Sequence, residues 1–284
     1  MQQAYGMSER RACRVIGFAR STCRDRRPAR ADDALCARLC TLAAERPRFG
    51  YRRLHVLLRR EGLAINHKRV HRLYRAEGLA VRRKRRKRVA QQRRVLLAPA
   101  TRVNQRWSMD FVGDSLADGR PFRCFTLVDD CSRESPTIVV DFSLPGERLV
   151  RELDAVAAER GYPEMIVMDN GPEFTSKALD AWAYQHKVTL HFIRPGKPTE
   201  NAYIESFNGK FRDECLDEHW FVGLDHAREL IEAWRVDYND VRPHSALDTL
   251  TPAEFARRAR AALRSPTAPF VPPAGEDIGP ELSQ

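Results

Sequence analysis

No stretch of the 284-residue chain approaches the roughly 18 consecutive apolar residues of a membrane span, and its N-terminus lacks an apolar signal-peptide core. A cytoplasmic protein is therefore expected. A dense cysteine framework is missing too. Seven cysteines, an odd and scattered set, fit free thiols in a reducing compartment. Acidic residues are scarce in the front third. Residues 1–94 hold 28 Lys and Arg against 7 Asp and Glu, whereas residues 95–284 hold 21 against 31. The formal net charge of +11 thus hides a basic front and an acidic-leaning back. A solvated Arg-rich surface is the plain reading. So steep a segregation points instead to a front half that binds a polyanion, with nucleic acid favoured.

The length allows one substantial core plus smaller helical modules. Residues 8–30 read as helix, turn, helix, with Ser8 as a cap, Gly17 as a breaker and Pro28 closing the second helix. Residues 32–46 form a further helix ended by Pro47. In the next two helices Leu54, Leu57 and Leu58, then Val70, Leu73 and Tyr74, recur at core spacing. Gly62 separates these helices, and Asn66 caps the second. Their Arg-rich outer faces, Arg69 and Arg72 among them, resemble helix-turn-helix DNA binders. Cys36 and Cys40, followed by His67 and His71, have a spacing that could ligate zinc. Yet Leu35, Cys36, Leu39 and Cys40 share one helical face, where cysteine behaves as a small hydrophobe, and that reading is preferred. Residues 81–94 carry nine basic residues in fourteen, including Arg83, Lys84, Arg85, Arg86 and Lys87. They read as a tether that phosphates would neutralise.

Beyond residue 104 the texture changes to strands: RWSMDFVG, RCFTLVDD, SPTIVVDF, EMIVMDN and VTLHFI. A turn at Ala117–Arg120 joins the first two. Helices are expected at roughly 146–160, 174–186, 201–218 and 225–238. The order β-β-β-α-β-α-β-α predicts an antiparallel meander leading into a parallel α/β half. Thr251-Pro252-Ala253-Glu254 is a capping box opening a last helix to about 263, and the Pro-rich tail from Ser265 is expected to be disordered.

The segment PGKPTENAYIESFNGKFRDECLDEH (195–219) is crowded with acids. At 100° per residue, Ile204, Phe207, Phe211 and Cys215 form one buried stripe. Asp213 and Asp217 lie opposite it, Glu214 and Glu218 lie on the other flank, and Glu200 precedes the helix. Glu205 sits on the shoulder of the stripe, in line with Asn201, Asn208 and Arg212. Asp169 ends an apolar strand just before Asn170-Gly171-Pro172, where α/β ligand sites gather. Asp110 lies inside a central-looking strand, where an unpaired charge is costly. Singly, each reads as well as a salt-bridged acid. Three acids on two strands and one helix favour a shared site. Clustered carboxylates without a covalent nucleophile suit Mg²⁺ and two-metal phosphodiester chemistry.

Asp110, Asp169 and Glu205, with thirty-five residues between the last two, resemble the catalytic triad of DDE transposases and retroviral-type integrases. The words WSMDF, LVDDCSR, MDNGPEF, RPGKPTENAYIESFNGKFRDECL and YNDVRPHSALDTLTPAEF are similar to those of second-reading-frame (OrfB-type) transposases of the IS-three insertion-sequence family. The N-terminal GYRRL…NHKRVHRL pattern is similar to that family's helical module. The resemblance implies an RNase-H-like mixed α/β catalytic core with flanking helices, preceded by small all-α helix-turn-helix modules. It divides the chain into a helix-turn-helix-like segment (1–31), a DNA-binding module (32–80), a basic linker (81–104), a catalytic domain with C-terminal helices (105–263) and a tail (264–284). It implies two Mg²⁺ or Mn²⁺ ions held by Asp110, Asp169 and Glu205, cleavage at element ends, and attack of the freed 3′-hydroxyl on another strand. Arg212, Asn208, Lys210, Asn170 and Arg133 would contact DNA, with a salt bridge to Asp129 or Asp130 as the plain alternative for Arg133. The partners implied are double-stranded DNA (terminal inverted repeats and target), further copies of the chain on that DNA, and an upstream-frame (OrfA-type) protein. Such a protein would act in the bacterial cytoplasm, at the nucleoid, with no membrane. A DNA-binding regulator without catalysis and a simple nuclease are the rival readings.

Overall fold

The computed structural model describes residues 5–20, 32–81, 97–194 and 201–264. In its N-terminal part lie α1 (Glu9–Val15), α2 (Asp33–Glu45), α3 (Tyr51–Arg60) and α4 (His67–Ala76). Ser8 takes the position before α1, but its side chain makes no capping bond. The second helix expected within 8–30, and the linker residues 82–96, lie largely outside the described residues. Gly62 takes φ +87° between α3 and α4, a backbone that side chains resist. Asn66 then caps α4, its side chain accepting the Lys68 N–H at 2.8 Å. Leu54, Leu57, Leu58, Val70, Leu73 and Tyr74 are all buried, as their spacing predicted, and pack with Leu39, Leu42 and Phe49 into one small core.

Five strands form a single sheet: β1 (Arg106–Ser115), β2 (Pro121–Asp129), β3 (Ile138–Asp141), β4 (Met165–Met168) and β5 (Thr189–Phe192). Their order is β3-β2-β1-β4-β5. β1–β2 and β2–β3 pair antiparallel, and β1–β4 and β4–β5 pair parallel, the expected meander feeding a parallel half. The helices of this part are α5 (Gly146–Arg160), α6 (Lys177–His186), α7 (Ala202–Glu214), α8 (Leu224–Asp240) and α9 (Pro252–Arg264). Where 201–218 was expected as one helix, α7 stops at Glu214 and a separate 3₁₀ turn covers Leu216–Glu218. The capping box is complete: Thr251 Oγ1 accepts the Glu254 N–H at 3.1 Å, and Glu254 accepts the Thr251 N–H at 2.8 Å.

Strand alternation assigns each sheet face its own helices. Trp107, Met109, Ile166 and Met168 pack with α5 and α6. Val112, Cys124 and Val140 pack with α7 and α8 through Ile204, Phe207, Phe211 and Ile231. Arginines join the N-terminal helices to this second layer. Arg46 pairs with Asp237 through two 2.6 Å bonds, Arg48 reaches Glu218 at 2.6 Å, and Arg60 reaches Glu254 at 2.8 Å. Among the described residues, no helix is long and apolar enough to cross a membrane.

Candidate active site

The parallel β1–β4 ladder sets Arg106 opposite Met165, Trp107 opposite Ile166 and Ser108 opposite Val167. Two residues further along each strand come Asp110 and Asp169. They leave adjacent strands at one level and, since Met109 and Met168 face α5 and α6, both lie toward α7. On α7, Glu205, Asn208, Gly209 and Arg212 occupy successive positions of one face. With Asp110, Phe111, Val112 and Gly113 of β1 they line an open pocket. Ile204, Phe207 and Phe211 on the inward stripe are almost fully buried, so sheet packing holds that face where it is.

The electrostatics of the pocket centre on Asp110. Burial pushes its carboxyl up to about 6, with Asp169 and Glu205 adding to the rise. Two hydrogen bonds oppose that rise. Asp110 Oδ1 accepts the Phe111 N–H at 2.7 Å, and Oδ2 accepts from Asn208 Nδ2 at 2.9 Å. Asn208 is itself held. Its Oδ1 lies 3.0 Å from the hydroxyl of Thr126, the residue opposite Asp110 in the β1–β2 ladder. Thr126 is fully buried, so this chain fixes the carboxylate from below. Sequence reasoning missed Thr126, although the Ala117–Arg120 turn sets the register that aligns it with Asp110. Asp169 Oδ1 accepts the Gly171 N–H at 2.9 Å, which orients it at the strand end. Asp169 does not line the pocket with Asp110 and Glu205, and the three carboxylates are not drawn within 4.8 Å of one another, but Asp110 feels the charge of both. Oxygen donors of this kind are what hard divalent cations take.

The other expected contacts divide. Arg212 is exposed at the pocket edge, with Nη2 donating to the Gly113 carbonyl at 3.2 Å. Asn170 is exposed, and its Nδ2 donates to the Ile193 carbonyl at 2.8 Å. Asn201, expected in line with Glu205, is buried instead and does not line the pocket. Lys210 also lies outside it. Burial, with Arg242 and Arg53 close by, pulls its ammonium down to about 7. Arg133 donates to the Asp130 carbonyl at 2.5 Å and lies over the Tyr203 ring at 3.9 Å. The alternative anticipated for it, a pair with an aspartate carboxylate, is not what the geometry shows. Asp129 instead accepts the N–H groups of Cys131 and Ser132, and Asp130 accepts from Arg106 and Ser108. Arg69 and Arg72 both bind Asp32. Arg83, Lys84, Arg85, Arg86 and Lys87 lie outside the described residues.

Comparison with known proteins gives this arrangement a family. Residues 100–198 and 186–252 match two models described as integrase core domains, and residues 31–87 match an HTH-like domain. An insertion element IS407 protein of Burkholderia multivorans is 54% identical over 269 residues, covering 94% of this chain and 97% of its own length. The putative transposase InsK for insertion sequence element IS150 of Escherichia coli is 28% identical, over 74% of this chain and 78% of its own. A chain in the simian T-cell lymphotropic virus intasome structure has the same fold, with a TM-score of 0.52 and 16% identity over 84% of this chain and 79% of that one. The protein is a transposase: it belongs to the insertion-element family that joins an HTH-like region to an RNase-H-like integrase core, the family its catalytic words resemble.

Proposed function

We propose that this transposase cleaves DNA at the ends of its insertion sequence and joins the freed 3′-hydroxyl to a target strand, with Asp110, Asp169 and Glu205 as the catalytic carboxylates. When bound, two Mg²⁺ (or Mn²⁺) ions would activate the attacking water or hydroxyl and stabilise the leaving oxygen. The observation that carries the reading is the pressure on Asp110, a desolvated carboxyl whose acidic neighbours Asp169 and Glu205 disfavour its charge further. A cation relieves that pressure; a solvated surface acid would not need one. Asp110, from within β1, and Asp169, just past the end of β4, would hold the ions, and Glu205 would close the site from α7. The bonds from Phe111 N–H and Asn208 keep the Asp110 carboxylate from rotating. Arg212 is placed to hold a DNA phosphate against the pocket edge, and Asn170 to touch DNA from the strand end.

The domain division follows the same reading. Residues 32–80 bind the element ends, 81–104 follow the phosphate backbone, and 105–263 carry the chemistry. Two ends must be brought together, so several copies act on one DNA, with an upstream-frame partner assisting.

Purified full-length protein, Mg²⁺ and DNA carrying the element's own ends test this reading. Cleavage followed by joining supports it, cleavage without joining favours a nuclease, and binding without cleavage favours a regulator. Glu205→Gln should lower both steps by about 10³-fold or more while DNA binding persists. Retained joining by that variant would sink the assignment of Glu205.

A further inference from the structure

Cys36 and Cys40 stand apart from the other cysteines among the described residues. Cys13, Cys124, Cys131 and Cys215 are buried among apolar side chains, whereas Cys36 and Cys40 are only half-buried. Leu39 and Leu42 of α2 are buried, with Leu35 packed beside them, and the two cysteines sit on the flank of that seam. The two histidines at zinc-like spacing do not join the cysteines. His71 stacks on Tyr51 with ring centroids 4.4 Å apart, and His67 meets His55 at 6.2 Å. What stands beside the thiols is a carboxylate. Cys36 Sγ, Cys40 Sγ and a carboxylate oxygen of Glu77 lie within 4.8 Å of one another. Glu77 is the residue that ends α4.

We infer that Cys36, Cys40 and Glu77 form a zinc site that ties the first turns of α2 to the end of α4. Thiolate sulfur and carboxylate oxygen are both zinc ligands, and the i, i+4 spacing puts both sulfurs on one side of the ion. Three protein ligands leave the fourth tetrahedral position to water. Binding displaces the two thiol protons to solvent, so the step needs no oxidant or other reactant.

The benefit is local. The helices from α2 to α4 share a core of only nine buried side chains, and small folds of this size are commonly stapled by a disulfide or a metal. The staple closes the module at the end of α4, just before the basic stretch of the sequence.

The full chain, purified without chelator and dialysed against zinc-free buffer containing excess Mg²⁺, should retain about one zinc per molecule by elemental mass spectrometry. The excess Mg²⁺ keeps zinc out of the carboxylate pocket. Cys36→Ser with Cys40→Ser should lose that zinc, and Glu77→Gln should retain less. Cobalt substitution of the unaltered chain provides a readout that no folding defect can confuse. It should show a thiolate-to-cobalt charge-transfer band in the near ultraviolet, absent from the double variant. No retained zinc and no such band in the unaltered protein would overturn the inference. So would zinc retention that survives loss of both cysteines, or a Cys36–Cys40 disulfide in freshly purified protein.

Discussion

Glu205 and Glu214 stand nine residues apart on the same helix, α7, and the environment makes opposite use of them. Glu205 is exposed and lines the pocket with Asp110. Glu214 is half-buried and gripped by Arg242 through bonds of 2.7 and 2.6 Å, with Arg53 adding a third contact at 3.3 Å. Burial raises the Glu214 carboxyl, but Arg242 and then Arg53 outweigh it and hold the group below the usual carboxylate range. Asp110, on the Glu205 side of the helix, is pushed the other way, to about 6. One helix thus carries an acid committed to arginine and presents another toward a site where acids repel. A carboxylate already neutralised by a buried guanidinium has nothing left to offer a cation.

The largest effect that tests this contrast is the loss of activity expected of Glu205→Gln, with little change in folding stability. Glu214→Gln should do the reverse. It leaves Arg242, which is 1% exposed, buried without its counter-ion, at a cost of about 3 kcal/mol. Chemical denaturation separates the variants, and similar stability losses in both would erase the distinction. The pH dependence carries the same sign. A carboxylate held below its usual range contributes stability that is present above that range and is lost as pH falls through the folded value. Acid should therefore weaken the unaltered chain more than Glu214→Gln.

Asp110→Asn gives the opposite slope and a smaller effect. Because Asp110 is raised to about 6, the metal-free folded state binds its proton more tightly than the unfolded chain does. Stability from this group is present below pH ~4 and is lost as pH rises from ~4 to ~6. Removing the charge should therefore stabilise the metal-free protein near pH 7 by about 1–2 kcal/mol while abolishing cleavage. Thermal melts in chelator across that range read the result. Destabilisation by Asp110→Asn at pH 7 would show that this carboxylate is not under the pressure described above.

The sequence makes the helix-face half of this contrast legible and hides the partner half. The stripe Ile204, Phe207, Phe211 and Cys215 follows from 3.6-residue periodicity, which acts within one element, and so does the exposure of Asp213. The Thr251 capping box is local in the same sense. Arg242 meets Glu214 only after the chain has run through α8, and Arg46 meets Asp237 across most of its length. No periodicity encodes those pairings. Glu214 therefore read as one more flank acid, and Lys210 as a DNA contact rather than a cation enclosed near Arg242 and Arg53. The Asn208–Thr126 support of Asp110 lies between these cases. The β1–β2 turn gives its register, and only the packing of α7 supplies the asparagine.

Arg53→Ala should have the smallest effect and the sharpest meaning. Arg53 comes from α3, its side chain remains 33% exposed, and its contact with Glu214 is longer than either bond from Arg242. Removing it leaves the two-bond Arg242–Glu214 pair intact and deletes one of several arginine contacts between the N-terminal helices and the core. Partly exposed pairs of this kind contribute about 1 kcal/mol or less, and salt screens them. The variant should therefore lose at most about 1 kcal/mol at low salt, and the loss should shrink as ionic strength rises. A loss as large as that of Glu214→Gln would mean that Arg53, from another part of the fold, is the true counter-ion. The acid at the end of α7 would then report the docking of the HTH-like region, and the division of labour along the helix would depend on that region being in place.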